Sequence, residues 1–248
     1  MKIYTAPGGD IDIPKLDILS LLFGEINNDN AKADLPRSGG SSTDECPADS
    51  KAGQALEETR IHVAAANPSN SITKRQARFL TKRVAHILRH RLDVGSEGPG
   101  KDVVLAVLHG GPFAPVLFYG IVAAGGIYSG ASTEYTPLEL ATQIKSSEAT
   151  TLLCSSECEE LAVEAAKQSN LPVNRVLVAD DSVLSGWTLR SVTDQRNLLC
   201  QSSADSLIWQ TITEQHLLQN TTVCLLYSSG TTGEPPFYVL PICQLAMN

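Results

Sequence analysis

A chain of 248 residues with 42% apolar side chains is long enough for one or two cored domains and too apolar to stay disordered. Its 27 acidic residues outnumber its 19 lysines and arginines, giving a net charge of −8. That excess argues against nucleic acid as a partner, since phosphate contacts carry most of such affinity, and no apolar run reaches the ~18 residues of a membrane span.

The opening Met1-Lys2-Ile3-Tyr4 starts no apolar leader, so a secretory signal is not expected. Residues 1–26 are an entry segment with one apolar patch, Ile18 to Phe23, and Asp17 stands where it can cap a short helix. From 27 to 60 the composition changes. Asn27-Asn28-Asp29-Asn30 and the run from Arg37 to Thr43 offer few large apolar side chains to offset the entropy of ordering, so a disordered insertion is expected. A globular unit is then expected over 61–235.

Ile61 to Ala66 reads as a strand, ended by Asn67-Pro68-Ser69-Asn70. Thr73 and Gln76 form a capping-box pattern, and the helix they open runs to about Leu92 with Leu80, Val84, Ile87 and Leu88 on one face. Lys74, Arg75, Arg78, Lys82, Arg83, Arg89 and Arg91 share the other face, which is expected to be solvated rather than a docking patch. His86 and His90 have the spacing of a metal clasp but no third ligand, so they are assigned to the solvated or half-buried face.

Asp102 to Leu108 is an apolar strand meeting His109-Gly110-Gly111-Pro112. That turn could serve an oxyanion or phosphate, but the plainer reading is a strand-to-helix turn, with the helix beginning at Pro112 and ending at Gly125-Gly126. Thr136 and Glu139 make a second capping box. Thr150 to Cys154 is the next strand, and a helix follows over 157–168; Cys154 and Cys158 could pair or bind metal, but with no further Cys or His spacing they read as buried or half-buried thiols. Arg175 to Asp181 is another strand, 182–206 is polar and irregular, a short helix covers 214–219, and Thr222 to Tyr227 is the last strand. Strands alternating with helices over 102–227 predict an α/β fold with a largely parallel sheet and right-handed crossovers. Six scattered cysteines without a framework predict reduced thiols.

The stretch after the last strand carries the chemistry. Ser228, Ser229, Gly230, Thr231, Thr232 and Gly233 are six small residues in succession, with four hydroxyls and two glycines that let backbone N–H groups close around an anion. A polyphosphate cradle fits this composition; a flexible surface turn is the alternative, and a Walker A spacing is absent.

Tyr227-Ser228-Ser229-Gly230-Thr231-Thr232-Gly233-Glu234-Pro235 resembles the phosphate loop of the AMP-forming, or adenylate-forming, superfamily. The likeness is to the N-terminal portion of fungal-type acyl-CoA synthetases and coumarate–CoA ligases. The block from Gly125 to Leu140 is similar to a second family block, and Ala65-Ala66-Asn67-Pro68 to a third. The resemblance implies a sheet with flanking helices and the early, incomplete part of that fold. It implies that ATP and a small carboxylic acid form an acyl-adenylate, and that coenzyme A then receives the acyl group, with Mg²⁺ sharing the phosphate charge. Residues 228–233 would hold the β- and γ-phosphates. Ser132-Thr133-Glu134 looks like a later family motif but falls in the wrong block and is given no catalytic role.

After Pro235 the likeness stops. Where the family has Lys-Gly-Val, this chain has Pro236-Phe237-Tyr238, and proline supplies neither charge nor N–H. Residues 236–248 are a divergent tail ending in Ala246-Met247-Asn248, which is not a peroxisomal address, so a cytoplasmic protein is expected. A ligase of small carboxylic acids is one reading. A truncated, non-catalytic remnant that at most binds nucleotide weakly is the other. In the second, the strand 222–227 is left as an unpaired edge, and dependence on another chain for folding is expected.

Overall fold

The computed structural model describes residues 16–24, 57–181, 186–200, 206–227 and 237–241. The expected insertion falls almost wholly outside them, and so does the entry segment before residue 16.

Helix α1 (Ile18–Phe23) starts as its sequence requires: Asp17 Oδ1 accepts the N–H groups of Leu19 and Ser20, both at 3.0 Å. Asp17 Oδ2 accepts Ile212 N–H at 3.0 Å, so one buried carboxylate also ties a segment nearly two hundred residues away. Strands β1 (Arg60–Val63) and β2 (Ser71–Thr73) form an antiparallel hairpin of their own, outside the main sheet. The sequence reading saw only the first of the pair, because three residues before a helix cap show no alternation. Helix α2 (Lys74–Leu92) follows, with both halves of the Thr73–Gln76 capping box formed.

The main sheet is built by β3 (Val103–Val107), α3 (Phe113–Ala123), β4 (Ile127–Ala131), α4 (Pro137–Ser146), β5 (Ala149–Ser155), α5 (Glu159–Ser169), β6 (Val176–Asp180), β7 (Thr188–Ser191), α6 (Gln215–Asn220), β8 (Thr222–Tyr227) and β9 (Phe237–Pro241). Its strand order is β7-β6-β5-β3-β4-β8-β9. The five inner strands are parallel, and each edge strand is antiparallel to its neighbour. The expected α/β architecture is therefore present.

Every residue of β3 is buried, as its unbroken apolar sequence demands of a strand covered on both faces. Its side chains alternate between two cores. Val104 and Ala106 join α2 and α3, with Phe23 and Trp209 beneath. Val103, Leu105 and Val107 join α4 and α5. Helices α2 and α3 cross closely at Gly120, where an added Cβ would lie 2.3 Å from Val84 Cγ1.

Three expectations are corrected. The basic face of α2 is not simply solvated. Arg78 donates to the Phe23 carbonyl and pairs with Glu57, and Arg83 is only 3% exposed, with its guanidinium 5.6 Å from the Phe79 ring centre. Arg89 donates to the carbonyls of Val94 and Ala124, joining the ends of α2 and α3. A guanidinium with several donors satisfies helix-end carbonyls that would otherwise lack partners. Residues 182–206 are not wholly irregular, because β7 pairs with β6 from Leu177↔Ser191 to Asp180↔Thr188. The edge expected at β8 is covered by β9, in register from Leu225↔Val239 to Tyr227↔Phe237. Backbone pairing there needs no family-like side chains, which is why the divergent tail gave no sign of it.

His62 sits beside the ring of Tyr119, 5.8 Å centre to centre, and its Nε2 is buried with no partner among the described residues. Burial pulls its pKa below the ordinary imidazole value. The unfolded chain therefore binds a proton first on acidification. Stability is full above about pH 6.5, falls as pH drops through that value, and levels off only below the depressed native pKa. A His62→Phe variant is expected to lose less melting temperature than the parent between pH 7.5 and 5.5, measured by circular dichroism; equal losses would contradict this.

Candidate functional site

The parallel strands all point their carboxyl ends to one side of the sheet, the side on which open α/β sheets bind ligands. β3 ends in His109-Gly110-Gly111, β5 in Ser155 to Cys158, β6 in Asp180-Asp181, β4 in Ser132-Thr133-Glu134, and β8 in Tyr227. The chain leaves β3 for β4 on one side and returns to β5 on the other. The adjacent strands β3 and β5 thus mark the point where the winding reverses.

A crevice lies there, lined by Leu108, His109, Phe113, Ser155, Asp180 and Asp181 among others. His109-Gly110-Gly111 is the strand-to-helix turn that the plainer reading expected, linking β3 to α3. Ser155 Oγ accepts the His109 N–H at 2.7 Å, pinning the turn to the neighbouring strand. His109 Nδ1 is 3.7 Å from Glu157 Oε2 and 3.8 Å from Cys158 Sγ. Asp181 packs against Gly111, where a Cβ would come within 2.2 Å of its Oδ2. Burial, then the neighbouring Asp180, raises the Asp181 pKa. The crevice encloses only about 50 Å³. That is room for a water or two within its walls.

A larger cavity of about 460 Å³ opens at the other end of the strands, between Asp17, the 95–100 turn and the segment after Trp209. It faces away from the end at which the 228–233 stretch departs.

That stretch continues directly from Tyr227. β8 lies parallel to β4, with Tyr128↔Cys224 and Ser129↔Leu225 in register, and its core-facing Leu225 and Tyr227 join the α4–α5 layer. Tyr227 Oη is 3.2 Å from Ser146 Oγ at the end of α4. Ser228, Ser229, Gly230, Thr231, Thr232 and Gly233 themselves lie outside the described residues. Ser132 and Glu134 form a turn at the end of β4, with Ser132 Oγ accepting the Glu134 N–H at 3.2 Å. His109, Glu157 and Asp181 are brought together by the fold. The sequence reading names the His109 turn and gives Asp181 only as the end of a strand, with no signal that β3 and β5 are neighbours.

The rings of His86 and His90 lie with centres 4.3 Å apart, tilted 47° to each other. Among the described residues no three His, Cys, Asp or Glu side chains converge to hold a metal ion, and no described helix is long and apolar enough to cross a membrane. Cys154 and Cys158 are buried free thiols, as expected. Burial, helped by Cys158, pushes the Cys154 thiol up to about 12, and burial pushes Cys224 up to about 11. Thiolate is the reactive form. Iodoacetamide at pH 8 is therefore expected to alkylate exposed Cys200 while leaving Cys154 and Cys224 unmodified in the native chain, read by peptide mass mapping. Labelling of Cys154 as fast as Cys200 would contradict the packed core.

Comparison with known proteins agrees with this geometry. A family model described as AMP-binding enzyme matches residues 52–236. A protein named "Putative acyl-coenzyme A synthetase" from Emericella nidulans is 35% identical over 237 residues, covering 92% of this chain and 36% of its own length. The phenylacetyl-CoA ligase epaB of Aspergillus niger is 29% identical over 238 residues, with the same two shares. Among solved structures, ATP-bound MatB from Rhodopseudomonas palustris aligns with a TM-score of 0.54 and 27% identity, covering 77% of this chain and 34% of that one. The chain spans a little over a third of the length of these relatives. With the family model matching well over half of its residues, the chain belongs to the AMP-binding enzyme family.

Proposed function

We propose that this chain is the phosphate-holding portion of an ATP-dependent acid–CoA ligase. Ser228, Ser229, Gly230, Thr231, Thr232 and Gly233 hold the β- and γ-phosphates of ATP. A small carboxylic acid attacks the α-phosphorus: the carboxylate oxygen forms the new bond, the bridging bond to the β-phosphate breaks, and pyrophosphate leaves. The thiol of coenzyme A then takes the acyl group and AMP departs. No protein nucleophile is needed, so catalysis rests on positioning and charge neutralisation. The observation that carries the reading is the position of the Ser/Thr/Gly stretch. It continues from the carboxyl end of a parallel strand packed between two others, at the ligand-binding end of the sheet. The fungal relatives named for acyl-CoA chemistry support the substrate class. Mg²⁺ would enter with the nucleotide, sharing the charge of its phosphates. Soluble substrates of this kind fit a cytoplasmic enzyme.

One observation favours a second reading. Pro236 stands where the resemblance calls for lysine, removing a cation that would face the departing pyrophosphate. In this reading the chain holds nucleotide without turning it over, alone or together with another chain. Carboxylate-dependent exchange of labelled pyrophosphate into ATP, run with a panel of alkyl and aryl acids, separates the two. Exchange above background supports the ligase. ATP binding without exchange supports the second reading, and failure to bind ATP at all overturns the ligase.

A further inference from the structure

We draw no further inference here: the strongest candidate, the crevice at the carboxyl ends of β3, β5 and β6 with Glu157, Asp180 and Asp181 around His109, belongs to the site already described and is an acidic cluster in which no second feature identifies a ligand.

Discussion

Replacing Gly120 by valine is expected to cost about 3 kcal/mol or more of stability, at the upper end of what overpacking a core does. The reason is the α2–α3 crossing. A Cβ at position 120 would lie 2.3 Å from Val84 Cγ1 and 2.6 Å from Val84 Cβ. Val84 is fully buried in the first core and cannot swing aside, because the closest atoms include its own branch point. The two helices must separate, and a separation there loosens the packing of both against β3. Alanine is the sharper test. In a helix it should gain about 1 kcal/mol over glycine, so the clash is any net loss plus that gain. We expect Gly120→Ala to destabilise the chain despite that gain. The double variant Gly120→Ala with Val84→Ala should be less destabilised than the sum of the singles, with a coupling of about 1 kcal/mol or more. Urea denaturation of the four chains reads this out. Additive effects would mean that the helices do not touch at this point.

The second large effect concerns ligand rather than stability. Replacing Thr231 and Thr232 together by valine is expected to weaken binding of Mg-ATP more than tenfold while leaving the urea midpoint nearly unchanged. Each hydroxyl donating to a phosphate oxygen makes a charge-assisted hydrogen bond worth about 1.5–3 kcal/mol, and about 1.4 kcal/mol is a factor of ten in affinity. Loss of both should therefore exceed one decade even if water replaces part of the interaction. Isothermal titration measures it. An unchanged dissociation constant would mean that the hydroxyls do not face the nucleotide, and a collapsed urea midpoint would mean that they serve the fold instead.

The sequence made the alternation of strands and helices legible most clearly where an inner strand is buried on both faces, as β3 and β6 are. Val103 to Val107 and Val176 to Ala179 carry no polar residue that a loop would need. Caps were legible too, since Asp17, Thr73 and Thr136 act on backbone groups two or three residues away and need no knowledge of the rest of the chain. What was hidden was lateral order. Nothing in the residues after β3 or β5 announces that the two strands adjoin, so the contact of His109 with Glu157 could not be read. The edge strands β7 and β9 were missed for a related reason: an antiparallel edge draws its stability from the backbone of its neighbour, and Thr188 to Ser191 carries only one buried side chain. The arginines of α2 were misjudged because charge alone does not tell a solvated head from one that caps a neighbouring helix, as Arg89 does. For the site itself, the run from Ser228 to Gly233 was conspicuous by composition, and its support from the fold is the strand it follows.

The measurement that tests the central claim most directly is the affinity of the full chain for Mg-ATP against AMP, compared in one titration buffer. If residues 228–233 hold the β- and γ-phosphates, ATP should bind at least tenfold more tightly than AMP, and the Thr231→Val, Thr232→Val chain should lose most of that preference. Equal affinity for ATP and AMP, or a preference that survives the double substitution, would contradict the account.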